Sequence, residues 1–212
     1  MANPTPAQVW QQLKEGNERF VSSSPIHPSQ GIETRERLTG GQNPHVVLFG
    51  CSDSRVAAEI IFDQGLGDMF VVRTAGHIID SSVLGSLEFA TEVLSTPLIV
   101  ILGHDSCGAV GAAVQALDSL QMPEGYLRDV VERVAPSVLA GRQAGLEQVD
   151  EFVAKHVKET AQLMVQRSSK IAERVKNNQV AIVCLTYTLA DGRVVLQDAI
   201  GDIGEGAGTS AI

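Results

Sequence analysis

The chain has 212 residues, 44% of them hydrophobic and 19% charged, with a formal net charge of −9. That length fits one domain with a sizeable core, the acidic balance argues against a nucleic-acid surface, and no apolar run approaches the ~18 residues a membrane span needs. Three cysteines without framework spacing, and a start at Met1–Pro6 that lacks a basic or apolar leader, point to a cytoplasmic protein with free thiols.

Thr5-Pro6-Ala7-Gln8 is a capping box with proline at the first helical position. The helix it opens carries Val9, Trp10, Leu13 and Phe20 and stops near Ser22–Pro25. Its apolar residues suit packing on a partner subunit or on the sheet of its own chain. Residues 25–41 are polar, with a short helical candidate over Glu33–Leu38. His45–Gly50 reads as the first buried strand, followed by a short helix over Val56–Phe62 and a turn at Gly65–Asp68. Met69–Arg73 is the second strand. Ser82 is expected to cap a helix in which Val83, Leu84, Leu87, Ala90 and Leu94 recur at helical spacing.

Leu98–Leu102 is the third strand, and Cys107-Gly108-Ala109 opens a helix running to Ala116. Residues 119–179 read as mostly helical, interrupted at Pro136 and at Gly141-Arg142. Val180–Leu189 is a fourth strand, Asp191-Gly192 signals a two-residue hairpin, and Val194–Ala199 returns as an antiparallel edge. The expected fold is α/β: a mostly parallel central sheet of about four strands with an antiparallel C-terminal edge strand, flanked by helices. One domain is expected over residues 1–212, with 1–44 as an N-terminal helical arm and 201–212 as a flexible Gly-rich tail.

Two segments stand out chemically. Cys51-Ser52-Asp53-Ser54-Arg55 and Gly103-His104-Asp105-Ser106-Cys107 each follow an apolar run, which places both at carboxyl ends of strands, where open α/β sheets bind ligands. Either motif alone is weak, because a lone cysteine is more often core than ligand. Together, Cys51, His104 and Cys107 keep company with Asp53, Arg55 and Asp105, polar neighbours that inert core thiols rarely have. Cys107 also opens a helix, whose positive end favours a thiolate. A Cys₂His set suits zinc with an open fourth position. Cys184 lies inside an apolar strand and reads as core. A thiol phosphatase is disfavoured, since Asp53 would repel a phosphate and no Gly-rich cradle is present.

Cys51–Val56 (Cys-Ser-Asp-Ser-Arg-Val), Gly103–Gly108 (Gly-His-x-x-Cys-Gly) and Gly67–Gly76 (Gly-Asp-x-Phe-Val-Val-Arg-x-Ala-Gly) closely resemble the motifs of β-class carbonic anhydrases, in the right order and spacing over roughly residues 5–200. The resemblance implies a Zn²⁺ cofactor on Cys51, His104 and Cys107, with Asp53 and Arg55 as a catalytic dyad. It implies reversible hydration of carbon dioxide to bicarbonate and a proton through a zinc-bound hydroxide. It also implies a homodimer or homotetramer assembled through the N-terminal helix and sheet edges, acting on a small-molecule substrate.

Within that family the chain resembles the plant-type subgroup. Gln42 and Phe70 match its pocket residues, and Leu48 stands where the bicarbonate-inhibited subgroup has tryptophan. Gln42, Phe70 and Gly108 are thereby expected to line the substrate site. Thr74 and His77 stand where asparagine is common, and Phe89 where tyrosine is frequent. Asp53 has two implied roles: accepting a hydrogen bond from the hydroxide, or binding zinc itself as the fourth ligand of a closed state. Arg55 would choose between them by pairing with Asp53. Two alternatives use the same residues: a related carbon disulfide or carbonyl sulfide hydrolase, and a zinc-stabilised regulatory protein without turnover.

Overall fold

A computed structural model describes residues 3–204. At its centre is a five-stranded sheet of β1 (Val46–Cys51), β2 (Met69–Thr74), β3 (Leu98–His104), β4 (Ala181–Tyr187) and β5 (Val194–Ile200). The strand order is β2-β1-β3-β4-β5, parallel except for β5, which pairs antiparallel with β4. Every residue of β1 and β3 is buried. That is the state expected of continuous Val/Ile/Leu runs sandwiched between two helical layers.

Side-chain alternation splits the core cleanly. Val46, Leu48, Leu98, Val100, Val183 and Leu185 face one layer, built by α1 (Pro6–Val21) and α3 (Ala58–Ile61). Val47, Phe49, Ile99, Ile101, Ile182 and Cys184 face the other. There they meet α4 (Ser81–Glu88), α7 (Val149–Arg167) and α8 (Ser169–Lys176). A third cluster closes the carboxyl end of the sheet, where α5 (Gly108–Ser119), α6 (Leu127–Gln143) and the start of α7 pack around Cys51 and Cys107. Two short helices complete the set, α2 (Ile32–Leu38) and a 3₁₀ turn at Ala75–His77.

The N-terminal capping box forms as read, with Thr5 accepting from the Gln8 amide. Val9, Trp10 and Leu13 of α1 are buried against the sheet of their own chain. Asn17 then ties α1 to the rest by donating to the Ile61 and Gly192 carbonyls and accepting from the Val194 amide.

Several local expectations are corrected. Asp80, not Ser82, caps α4, its carboxylate accepting from the Val83 amide at 2.8 Å. The helical pattern ends in a π turn at Phe89–Val93, because the Thr91 hydroxyl takes the Leu87 carbonyl and the ladder slips by a residue. Pro136 and Gly141 do not interrupt the chain but lie inside α6, whose Val131, Val134 and Val138 are fully buried. Burial of that face offsets the hydrogen bond that Pro136 forfeits. At Gly141 a Cβ would fall 2.6 Å from the Phe152 ring, so this residue sets the close approach of α6 to α7.

The β4–β5 connection is likewise wider than a two-residue hairpin. Thr188–Arg193 form a loop closed by the Thr188 amide on the Arg193 carbonyl. Its backbone is diverted to Asn17 and to Asp105, which accepts from the Leu189 amide. Of the expected flexible tail, Ile203 is buried in the first core cluster, and residues 205–212 lie outside the described residues.

Candidate metal centre

Cys51 ends β1 and His104 ends β3, two adjacent parallel strands, while Cys107 is the residue from which α5 departs. Their Sγ, imidazole-nitrogen and Sγ atoms all lie within 4.8 Å of one another, and all three residues are buried. The loop between His104 and Cys107 is anchored on both sides. The Asp105 amide donates to the Tyr187 carbonyl, and the Ser106 amide donates to the Asp150 carboxylate at 2.9 Å.

His104 is oriented by its own loop. Its Nδ1 lies 2.8 Å from the Asp105 carbonyl, which only accepts, so Nδ1 carries the proton and Nε2 presents a bare lone pair. Nε2 is fully buried and without a hydrogen-bond partner. A buried acceptor of this kind costs free energy unless something occupies it. The two sulfurs beside it supply the soft donors that, with imidazole, suit a tetrahedral zinc with one position left open.

The thiols are not equivalent. Hydrogen bonds from Cys107 foremost, and also from the Gly76 amide, hold Cys51 well below the ordinary thiol value despite its burial. Cys107, facing that thiolate in a buried setting, is pushed up. A cation held between the two sulfurs would displace the protons they carry. By contrast, Cys184 lies within β4 in the second core cluster, where burial pushes its thiol up to about 12. It has no part in the cluster.

Asp53 and Arg55 stand beside the three donors. The Asp53 carboxylate lies 3.8 Å from His104 Nε2 and receives both Nε and Nη2 of Arg55. That pairing, foremost among its causes, depresses the Asp53 carboxyl well below the usual carboxylate range. Arg73, which the sequence reading did not single out, locks the segment from behind. Its Nε donates to the Cys51 carbonyl at 2.9 Å and its Nη2 to the Asp53 carbonyl at 2.6 Å. Its place in the Gly67–Gly76 motif was the available signal. Gly108, the first residue of α5, is exposed beside Cys107.

Gln42 and Phe70 are elsewhere. Gln42 precedes β1 at the amino end of the sheet, so the whole length of that strand, roughly 16 Å, separates it from Cys51. Phe70 sits on β2 opposite Val47, and its ring lies 6.1 Å from that of Phe89. Thr74 closes the turn to Ile78 by donating to its carbonyl. His77 is fully buried, with neither ring nitrogen bonded.

Residues 46–194 match the family model described as carbonic anhydrase. Carbonic anhydrase 2 of Mycobacterium tuberculosis is 63% identical over 205 residues, 97% of this chain and 99% of that protein. The carbonic anhydrase of Mycolicibacterium smegmatis is 61% identical, covering 97% of this chain and 100% of that one. Among solved structures, the β-carbonic anhydrase CcaA superposes with a TM-score of 0.70 at 26% identity, over 90% of this chain and 88% of that one. A structure described as one of two tetrameric β-carbonic anhydrases from Sordaria macrospora shares the fold at a TM-score of 0.69 and 20% identity, over 89% of this chain and 96% of that one.

Proposed function

The chain belongs to the carbonic anhydrase family, in its β class, and on that premise we propose that it hydrates carbon dioxide reversibly with zinc held by Cys51, His104 and Cys107. The observation that carries the metal assignment is the unpaired, buried Nε2 of His104 aimed among two thiol sulfurs. Zinc bound there supplies the Lewis acidity that lets water ionise far below its ordinary pKa.

The remaining work falls to this chain's own residues. Asp53, kept ionised by Arg55, would accept a hydrogen bond from the attacking oxygen and so direct that oxygen's lone pair at the carbon of CO₂. The same carboxylate, 3.8 Å from His104 Nε2, would be the candidate fourth ligand if Arg55 released it. Arg55 is the restraint on that closure, through a fork that matches both carboxylate oxygens. Arg73 holds the backbone carbonyls of Cys51 and Asp53 on one guanidinium, so ligand and carboxylate keep a fixed separation. Gly108, without a side chain at the lip of the site, leaves room for substrate.

Within one chain neither Gln42 nor Phe70 reaches the metal ligands, so we assign them a substrate-binding role only across an interface. In a homodimer or homotetramer, the β2 edge of one copy would face the site of another. The exposed Phe89, whose ring lies beside that of Phe70, supports this, with the exposed Val93 four residues further on. We place the enzyme in the cytoplasm, where reducing conditions preserve the thiols. No helix among the described residues is long and apolar enough to cross a membrane.

Stopped-flow hydration of CO₂ by the purified protein, before and after chelation and again after zinc is restored, tests the proposal. Turnover that is lost with the metal and returns with it is expected. A zinc-replete protein without turnover would leave only a regulatory role, and turnover of carbonyl sulfide instead of CO₂ would favour the related hydrolase.

A further inference from the structure

The Gly76 backbone N–H donates to the Cys51 sulfur at 3.3 Å. Gly76 holds φ 65° and ψ 23° inside the 3₁₀ turn, and a Cβ there would fall 2.7 Å from that of Ala109. Such a residue does not keep its orientation by local propensity. Its carbonyl is instead gripped from α7, where His156 Nε2 lies 3.0 Å away. A carbonyl only accepts, so Nε2 bears the proton and Nδ1 is the lone-pair nitrogen. The Ser137 hydroxyl of α6, 2.8 Å from Nδ1, must then donate to it.

The ring is clamped as well as bonded. His77 packs against it with ring centroids 4.5 Å apart and planes tilted by 41°, and both His156 and Ser137 are buried. Burial lowers the pKa of His156, which keeps the ring neutral and the tautomer constant.

We propose that Ser137 and His156 are positioning residues for the metal centre: they orient Gly76 so that its N–H donates to the Cys51 thiolate. An N–H on a metal thiolate withdraws charge from sulfur and fixes its direction. That is how outer-shell groups tune affinity and acidity at a metal. Neither residue touches metal or substrate. The chain from Ser137 through His156 to Gly76 spans three elements that pack together only in the folded state. The inference rests on the zinc assignment made above.

The test uses the full-length protein, loaded with zinc or with cobalt(II), as wild type, His156→Leu, His156→Gln and Ser137→Ala. Zinc affinity is read by competition with a chromophoric chelator, the thiolate-to-cobalt absorption band by spectroscopy, and folding by melting temperature. His156→Leu should bind zinc roughly 10-fold more weakly and move the band to longer wavelength, since sulfur loses its donor. His156→Gln, which restores an N–H to the Gly76 carbonyl, should recover most of both. Ser137→Ala should change both in the same direction by less.

If His156→Leu lowers the melting temperature yet keeps wild-type affinity and spectrum, the residue only packs and the inference falls. It falls equally if Gln is no better than Leu. Should the Leu variant not fold, Ser137→Ala decides: a shifted band supports the inference, an unshifted one overturns it. Wild-type protein that binds neither metal would instead overturn the zinc assignment itself, and this inference with it.

Discussion

Asp53 and Arg55 meet in a two-pronged ion pair, with Arg55 Nε 2.9 Å from Oδ1 and Nη2 2.7 Å from Oδ2, while the Arg55 amide adds a further bond to Oδ1 at 2.9 Å. Both carboxylate oxygens are therefore committed. Arg55→Ala should cost about 100-fold in kcat/KM by misplacing the carboxylate, with zinc content unchanged. Arg55→Lys returns the charge without the fork and should recover only part of the activity. Stopped-flow assays beside elemental analysis of the same samples check both outcomes; loss of zinc in Arg55→Ala would show that the pair holds the metal rather than the carboxylate.

Zinc removal should destabilise the fold. A metal present at a thousand times its dissociation constant stabilises the native state by about 4 kcal/mol. For a chain of this size that corresponds to a melting temperature higher by roughly 10 °C. Calorimetry of apo and zinc-loaded protein measures it. Cys107→Ser should melt like the apo form whether or not zinc is added.

Activity should rise with pH. Two thiolates cancel the charge of a divalent cation, so water at this centre ionises at higher pH than the value near 7 found in a three-histidine site. A rate profile from pH 6 to 9 should climb through most of that range. A plateau already reached at pH 6 contradicts it.

Acid stability should depend on Asp63, far from the metal. Its buried carboxylate accepts from Arg19 Nε at 2.6 Å and from the Ile26 and His27 amides at 3.0 Å. Burial alone would raise its pKa, but these donors outweigh it and lower the group below its ordinary value. A depressed folded pKa gives stability that is complete above the unfolded value near 3.9 and lost as pH falls through the folded one. Asp63→Asn should therefore destabilise by about 2 kcal/mol at pH 7, and the gap to wild type should narrow only below about pH 4. Urea titrations at pH 7 and pH 3 read the difference.

The parallel strands were legible because their apolar runs are short, continuous and closed by glycine or a site motif. The metal ligands were legible because each sits at such a strand's end or one turn beyond. What escaped has a common physical origin. Asp80 and Ser82 are both good caps, and only the folded backbone selects which carboxylate or hydroxyl meets an amide. Pro136 and Gly141 are breakers by propensity, yet a buried α6 face and the Phe152 ring override them. His156 showed no partner in the sequence because Gly76 lies 80 positions away. Gln42 and Phe70 were read by family likeness, which carries no distance, and the sheet puts them at a remove from Cys51 within one chain.

Two of the three ligands, Cys51 and His104, end β1 and β3, adjacent strands inside the sheet with neighbours on both sides. Fraying of an edge or terminus leaves such a site intact, whereas releasing Cys51 from His104 requires pulling the sheet apart along its middle. Amide exchange along β1 and β3 should be the slowest in the molecule and should slow further with zinc. Without zinc these central strands should open more often, and sensitivity to added protease should rise with that opening.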